Sequence, residues 1–492
     1  MHKFWYTDSL SLSLSLSHIV EPLTHIFNLC ISHGTFPASL KEAKVVPIPK
    51  TQDHTSICNY RPISILSSLS KPLERHIHKH LLEFLERNDL LSVRQSGFRP
   101  NHSCHSALTR IVDKWLSSIN DNLMSGAVFL DMQKAFDLVD HTILVKKLEV
   151  YHLGDNVLKF FNSYLQHREQ KVYAHGQFSR SDQVRFGVPQ GSILGPLLFI
   201  LFINDLPLHV SNDKVDCDLF ADDASLHAAG KSVADISHSL QGSLTQVSQW
   251  CASNHMLLHP KKTKSMLITT RQKHQLRPAP LQLRLDDNPI QQVSEKPFLG
   301  VCVDDQLKWE SHIDTLCKTI ARNTYLLSKL KHITDTHSRK LFFLAHIKSH
   351  VDYASTIWDG CSAVHMNRLN SLYKRAVRMI LPEPIPTTER MIKLNILNIH
   401  QQLSFNKCVF VHKIVFGKAP PYLSSVFNLV NLRSGTSRNK NLPLPLPRLD
   451  LFKSSLSFAG AVLWNSLPPY IKCITFPPTF KRCLRQYLSA CK

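Results

Sequence analysis

Two adjacent carboxylates, Asp222 and Asp223, interrupt the strand-patterned stretch Val215-Asp216-Cys217-Asp218-Leu219-Phe220-Ala221-Asp222-Asp223-Ala224-Ser225-Leu226-His227. Cys217, Leu219 and Ala221 alternate along one face, and Ala224 with Leu226 resumes the alternation beyond the pair. The pattern predicts a tight hairpin with the two aspartates at its tip. Successive strand side chains point to opposite faces, so only one of the pair points squarely at a shared centre. Ala, not Lys or Arg, flanks the pair, so two like charges side by side need a cation from elsewhere. A hard divalent ion such as Mg²⁺ suits carboxylate ligands of this kind. Taken alone, an Asp-Asp pair is more often a solvated surface turn.

Two further stretches change that balance. Gly126-Ala127-Val128-Phe129-Leu130-Asp131 is an apolar run, as expected of a buried strand, ending in a carboxylate. Gly187-Val188-Pro189-Gln190-Gly191-Ser192-Ile193-Leu194-Gly195-Pro196 is a glycine-rich loop running into an apolar helix. Phosphoryl transfer with two metal ions requires carboxylates from separate strands to meet. It also requires a loop that lets a nucleotide approach the backbone closely.

In this order, FLDMQKAFDLVDH, GVPQGSILGPLLFILFINDL and FADDASL resemble the palm motifs of reverse transcriptases, in the wording of non-LTR (LINE-type, jockey-like) retrotransposons. Supporting matches flank them: KEAKVVPIPK, NYRPISIL, QSGFRPNHSCHSAL, LLHPKKTKSML and FLGVCVDDQLKWESHI. The similarity runs from about Phe27 to about Leu381, and eight motifs stand in the family's order. The resemblance implies an α+β right-hand polymerase of fingers, palm and thumb, with an antiparallel palm sheet and a helical C-terminal region. It implies an RNA-directed DNA polymerase that extends a DNA primer on an RNA template. Its partners are then the RNA template, a DNA primer or target DNA, and deoxynucleoside triphosphates. The alternative is an inactive or domesticated relative that only binds RNA; the three intact aspartates argue against it, because a pure binder gains nothing from crowded carboxylates.

The resemblance also implies roles. Asp131 and Asp222 carry two Mg²⁺ (or Mn²⁺) ions, with Asp223 nearby. Lys50 and Arg61 match basic residues of the fingers that face the triphosphate or template; each is otherwise an ordinary exposed cation. Phe136, five residues past Asp131, matches an aromatic under the incoming sugar that clashes with a 2′-hydroxyl; a packed core Phe is the rival, and the two are compatible. Gln190 matches a contact to the incoming nucleotide and nearby template, against an ordinary polar loop residue. Lys262 matches the lysine that approaches the triphosphate and protonates the leaving pyrophosphate, with Lys261 and Lys264 as rivals. The sequence departs from the family pattern at His259, where Asn is usual, and at Cys104, where Thr is usual. Pro297-Phe298-Leu299-Gly300-Val301 resembles the hairpin that supports the primer end.

A chain of 492 residues exceeds the size of one ordinary core, so two or three domains are expected. Residues 1–26 read as a low-complexity segment, 27–303 as fingers and palm, 304–381 as a helical thumb-like region, and 382–492 as a C-terminal appendage. The net charge of +21 points to a polyanion partner, nucleic acid first. The 12 Cys form no Cys-x-x-Cys pair, which fits a reduced intracellular compartment, nuclear or cytoplasmic, with no clear targeting signal. Cys473, Cys483 and Cys491 lack zinc spacing. The longest apolar run, Pro196 to Ile203, is too short for a bilayer, so no membrane partner is expected; it reads as a buried helix with Pro196 in its first turn. The Ser-Leu alternation from Ser9 to Ser17 reads as translated TC dinucleotide repeat.

Local patterns add expectations. Ile19–Ser39 is helical up to Phe36-Pro37. Ala43–Lys50 reads as an edge strand whose prolines prevent central pairing, and Asn59–Leu66 as a second extended segment. Lys71–Arg87 is helical, with Leu73, Ile77, Leu81, Phe84 and Leu85 along one side; His76 and His80 lie one turn apart without a third metal ligand. Asp137 reads as structural, and Asp140 as a cap for His141–Val150. Ser232–Asn254 is helical, Arg271–Pro280 a loop, and Leu307–Leu381 helical and basic. There Leu369, Leu372, Tyr373, Ala376 and Ile380 make an apolar stripe opposite Arg368, Arg375 and Arg378, a face suited to gripping duplex backbone. Asn441–Pro447 alternates Leu and Pro and must be extended. The segment Trp464-Asn465-Ser466-Leu467-Pro468 resembles the C-terminal part of jockey-like elements. The polymerase motifs begin almost at once and no nuclease pattern follows them, so the chain is expected to extend a supplied primer and leave plasmid DNA unnicked.

Overall fold

The computed structural model describes residues 16–50, 53–276, 279–427 and 441–490. Its strands include β1 (Glu42–Pro49), β2 (Tyr60–Ile65), β3 (Met124–Leu130), β4 (Arg168–Ala174), β5 (Gln177–Phe178), β6 (Asp182–Val184), β7 (Val215–Phe220), β8 (Asp223–Gly230) and β9 (Lys264–Ile268). Helices occupy most of the rest, so the architecture is α+β. The Ser-Leu repeat lies outside the described residues up to residue 15. A continuous helix, Leu16–His33, follows and spans the boundary placed at residue 26.

The central sheet has the order β9-β3-β8-β7, antiparallel throughout, with Gln291–Gln292 added parallel to β9. All of β3 is buried, which is why its sequence is a continuous apolar run rather than an alternation. The strand period nevertheless sorts its side chains. Val128 and Leu130 join Cys217, Leu219 and Leu226 in a core with the buried helix Leu194–Ile203 and the helix Val233–Ser253. Ala127 and Phe129 join Met266 and Ile268 in a second core on the other face. The helices Cys104–Asn120, Glu310–Leu330 and Ala363–Ile380 close that side. Among the described residues no helix is long and apolar enough to cross a membrane.

The second sheet has the order β2-β1-β4-β5, with β6 also on β4. Here β1 is not an edge strand, contrary to expectation. Its first half, Glu42–Val45, pairs in parallel with β4, and Lys44–Pro49 pairs antiparallel with β2. The pairing with β4 stops at Val45, before Pro47 and Pro49. The proline rule holds residue by residue: the missing N–H groups fall only where β1 has one neighbour. Two smaller differences follow. Phe84 stays exposed on the helix Ser70–Arg87 while Leu73, Leu81 and Leu85 are buried. Residues Arg271–Gln275 form a short helix, because Thr270 accepts the Lys273 N–H as an N-cap. The His76 and His80 rings lie 4.5 Å apart, and they belong to no metal-binding cluster among the described residues.

The C-terminal region is helical, as expected, and it docks on the helix Cys104–Asn120, which covers one face of the central sheet. Asn120 Oδ1 accepts N–H groups from Arg448 and Leu449 at 2.7 and 3.3 Å, and Asp113 Oδ1 accepts that of Ser457 at 3.0 Å. The Trp-Asn-Ser-Leu-Pro segment acquires a physical role here. Asn465 holds both backbone groups of Leu442 (2.7 and 2.8 Å), pinning the Leu-Pro stretch, which pairs with no strand among the described residues. Trp464 is fully buried in a core with Val411, Phe427, Ile471, Phe480 and Leu484. Trp464→Ala is expected to cost about 3–5 kcal/mol, read as a drop of several degrees in the thermal midpoint. An unchanged midpoint would show that this core is not part of the cooperative unit.

Candidate active site

The β7/β8 register ends at Phe220↔Asp223, leaving Ala221 and Asp222 as a two-residue turn. Ala221 sits at φ +56°, a region sparsely populated by L-residues. The turn holds because the loop after residue 94 is laid against it. Ser96 N–H donates to the Leu219 carbonyl at 2.9 Å and Leu219 N–H to that of Arg94 at 3.0 Å. The buried Gln95 Oε1 accepts N–H groups from Ala221 (3.1 Å) and Gly97 (2.7 Å). A Cβ on Gly97 would lie 2.3 Å from the Ala221 nitrogen, so the Gln-Ser-Gly motif requires its glycine to let the two backbones touch.

Asp131 follows β3 one residue past the pair Leu130↔Ala224, which brings it beside Asp223. Its backbone is fixed from the other side: its N–H donates to Thr263 Oγ1 at 3.3 Å and its carbonyl accepts from His259 N–H at 2.8 Å. The electrostatics show three carboxylates at one centre. Asp223 is pushed up to about 6 by partial desolvation, then by Asp222 and Asp131, with Lys296 opposing. Asp222 is raised by desolvation and by Asp131, with Arg61 opposing. Both side chains remain exposed to solvent. Among the described residues no three such side chains are already closed into a metal cage.

The glycine-rich loop forms a neighbouring wall. Gly191 sits at φ +125°, and a Cβ there would lie 2.3 Å from the Ser64 carbonyl oxygen. Ser64 of β2 donates its N–H to the Gln190 carbonyl at 2.7 Å. The Gln190 side chain donates to Asp137 Oδ1 at 2.8 Å. Burial raises Asp137, against Gln190, Lys134 and Lys50. Phe136 stacks on Phe199 of the buried helix (4.3 Å, 22°) and meets Phe98 edge-on at 6.3 Å. The helix behind the loop starts on Glu74, whose buried carboxylate accepts the N–H groups of Ile193 (2.7 Å) and Leu194 (3.2 Å), a placement the helix dipole favours.

The structure thus gathers Asp131, Asp222, Asp223 and Arg61, and separately Gln190, Asp137, Lys50 and Phe136. Lys262 donates its backbone N–H to the His259 carbonyl (3.1 Å), and its side chain is exposed. Of its rivals, Lys264 is tied to Gln291 Oε1 at 2.6 Å and Lys261 is exposed.

Sequence reading missed Lys296, whose only signal was its place in the Pro297–Val301 hairpin region. It also missed a charged cluster on the reverse face of the hairpin. Asp216 and Asp218 are nearly buried there and meet Arg94, Arg110 and Lys114. Tyr422, from the C-terminal region, lies under the Arg110 guanidinium at 4.8 Å and bonds Ser96 Oγ at 2.9 Å. The alternation in Val-Asp-Cys-Asp-Leu-Phe signalled a polar second face for β7, but its partners come from distant segments.

Residues 48–303 match the family model described as reverse transcriptase (RNA-dependent DNA polymerase). The chain is 30% identical over 395 residues to a probable RNA-directed DNA polymerase from transposon BS of Drosophila melanogaster, covering 78% of this chain and 43% of that protein. It is 27% identical to the corresponding protein of the X-element, covering 73% and 39%. For the mobile element jockey, also of Drosophila melanogaster, the identity is 26%, covering 77% and 42%. The chain therefore spans less than half the length of these curated relatives. Among solved structures it is similar to apo telomerase from Candida tropicalis, at 10% identity and a TM-score of 0.42, covering 84% of this chain and 73% of that one. With the family model matching more than half of the chain, over the segment that carries all three aspartates, the chain belongs to the reverse transcriptase (RNA-dependent DNA polymerase) family.

Proposed function

We propose that this chain is the polymerase of a non-LTR retrotransposon, extending a DNA primer on an RNA template from deoxynucleoside triphosphates. The observation that carries the reading is the meeting of Asp131, from the end of β3, with Asp222 and Asp223 at the β7/β8 turn. In this reading the central sheet is the palm, the sheet of β1, β2 and β4 lies in the fingers, and residues 304–381 form the thumb. The described residues between 382 and 490 brace the palm from behind. Arg375 and Arg378 stand exposed on the helix Ala363–Ile380 opposite its buried stripe, placed for backbone contacts that give affinity without sequence reading.

The donor chemistry fits two Mg²⁺ or Mn²⁺ ions: Mg²⁺ keeps several waters and uses one or two carboxylates plus substrate phosphates, so a preformed protein cage is not required. Held by Asp131 and Asp222 with Asp223 adjacent, such ions would lower the pKa of the primer 3′-hydroxyl and neutralise the triphosphate and its leaving group. The chain's own residues do the positioning. Arg61 adds positive charge on the Asp222 side, where phosphates would lie. Gln190, braced by Asp137, presents its loop to the nucleotide. Phe136, backed by Phe199, forms the floor under the sugar. Lys262 has the freedom to swing toward a bound triphosphate. Primer extension by the purified chain on an RNA template with a DNA primer tests the reading; absence of template-directed incorporation would overturn it.

The raised Asp223 gives a pH test. A carboxyl held at about 6 stabilises the metal-free fold below its unfolded value, and this contribution is lost as pH rises toward and through about 6. A metal ion competes with that proton, so Mn²⁺ affinity should climb up to about tenfold per pH unit between about pH 5 and about pH 6, then level off. Electron paramagnetic resonance titrations would check it; a pH-independent affinity would remove Asp223 from the ion's surroundings.

A further inference from the structure

We infer that a cavity between the thumb and the C-terminal helices binds the sugar-phosphate backbone of single-stranded RNA, as a second nucleic-acid site apart from the carboxylate centre. The inference rests on the polymerase reading for its choice of RNA as the anion. The cavity has a volume of about 610 Å³ and lies where the helices Ile399–Val415 and Pro477–Ala490 meet the segment around Lys348. That volume falls within the range that admits a small organic ligand, roughly 300–1,000 Å³.

Its charge is one-sided. Lys348, Lys413, Lys481, Arg482 and Arg485 line it, against a single carboxylate, Asp352. Asp352 is already committed, to Lys348 and to Asn406 Nδ2 at 3.0 Å. Among the described residues Lys413, Lys481, Arg482 and Arg485 make no ion pair with a carboxylate. Arg485 donates instead to the Asn395 carbonyl at 3.4 Å and lies over the Phe405 ring, 5.2 Å from its guanidinium carbon. The crowding is felt by its members: Lys413 is lowered by burial and by Lys481, and Lys413 in turn helps burial hold His105 down at about 4. His105 is therefore neutral, stacked on Phe410 at 4.2 Å and 15°. A cationic cavity with an aromatic wall, whose one carboxylate is already paired, is the arrangement that binds single-stranded nucleic acid through its phosphates.

The test uses the full chain and a fluorescent single-stranded RNA without primer, in metal-free buffer at several salt concentrations. Lys413→Gln, Lys481→Gln and Arg482→Gln together should lower the slope of log K against log salt by about 2, from about 0.7 per phosphate contact on single strands. A control with equal charge loss, Arg180→Gln, Lys214→Gln and Lys231→Gln, exposed elsewhere, should leave the slope within error of the native chain. Equal effects of the two triple variants would reduce the cavity to general charge and overturn the proposal, as would no effect of the first. A charge-retaining set, Lys413→Arg, Lys481→Arg and Arg482→Lys, should bind like the native chain; loss of binding there would point to packing and also overturn it. Primer extension by the native chain is measured alongside, and its failure would count against the polymerase reading while leaving the cavity result intact.

Discussion

Asp222→Asn should lower primer extension by about 10³-fold or more, equivalent to about 4 kcal/mol of lost transition-state stabilisation, with RNA affinity unchanged within about twofold. Asp222 occupies the second position of a two-residue turn, and its side chain is exposed rather than packed. The amide has nearly the same shape, so the Ala221 N–H bond to Gln95 Oε1 that helps hold the turn survives. What is lost is charge: a carboxamide is a poor ligand for a hard cation. The variant also relieves repulsion, since Asp222 is among the groups that raise Asp223. The thermal midpoint of the metal-free variant should therefore not fall, and the Asp223 carboxyl should titrate lower. Near-native extension in Mg²⁺ by the folded variant would falsify the assignment of Asp222. A lost activity accompanied by a lowered midpoint would instead report a damaged turn.

Phe136→Val should admit ribonucleotides, changing the ratio of kcat/KM for deoxy- over ribonucleotides by roughly 10–200-fold, the range that small steric changes in a pocket produce. The ring is only partly buried; it stacks on Phe199 and faces Phe98. Its carbonyl, which accepts the Val188 N–H at 2.8 Å, ties the residue to the glycine-rich loop and is untouched by the substitution. The ring is therefore held at a fixed height by its backing, and shortening it opens room on the sugar side. The lost stacking also lowers stability, so the decisive readout is the ratio between the two nucleotide types under one condition. A ratio equal to the native one would leave Phe136 as a packed core residue and nothing more. Phe98 would then be the next ring to shorten.

The order of the motifs and the local element types were legible because they depend on short-range pattern. The β7/β8 hairpin, the buried strand that stops just before Asp131 and the apolar helix at Leu194–Ile203 each follow from pattern within about ten residues. The same reading misplaced β1, because a proline rule stated for a whole strand was applied where only half of the strand is paired on both sides. It underread the tail for a different reason. Trp464 and Asn465 carry a family likeness without a physical role until Leu442 and Phe480 are brought to them by the fold.

What the sequence determined by itself was a candidate set: three aspartates, one closing an apolar run and two adjacent in a hairpin pattern, in the order of a known family. What only the tertiary structure decided was their surroundings. The pairing of Leu130 with Ala224 sets Asp131 beside Asp223. Arg61 and Lys296 come from separate sheets to oppose the carboxylates. Arg110, Lys114 and Tyr422 secure the back of the hairpin from segments hundreds of residues apart. Such contacts leave no periodic trace, because each is a pairing of one residue with another far along the chain, and Coulomb forces and desolvation act on distance in space rather than on separation in sequence.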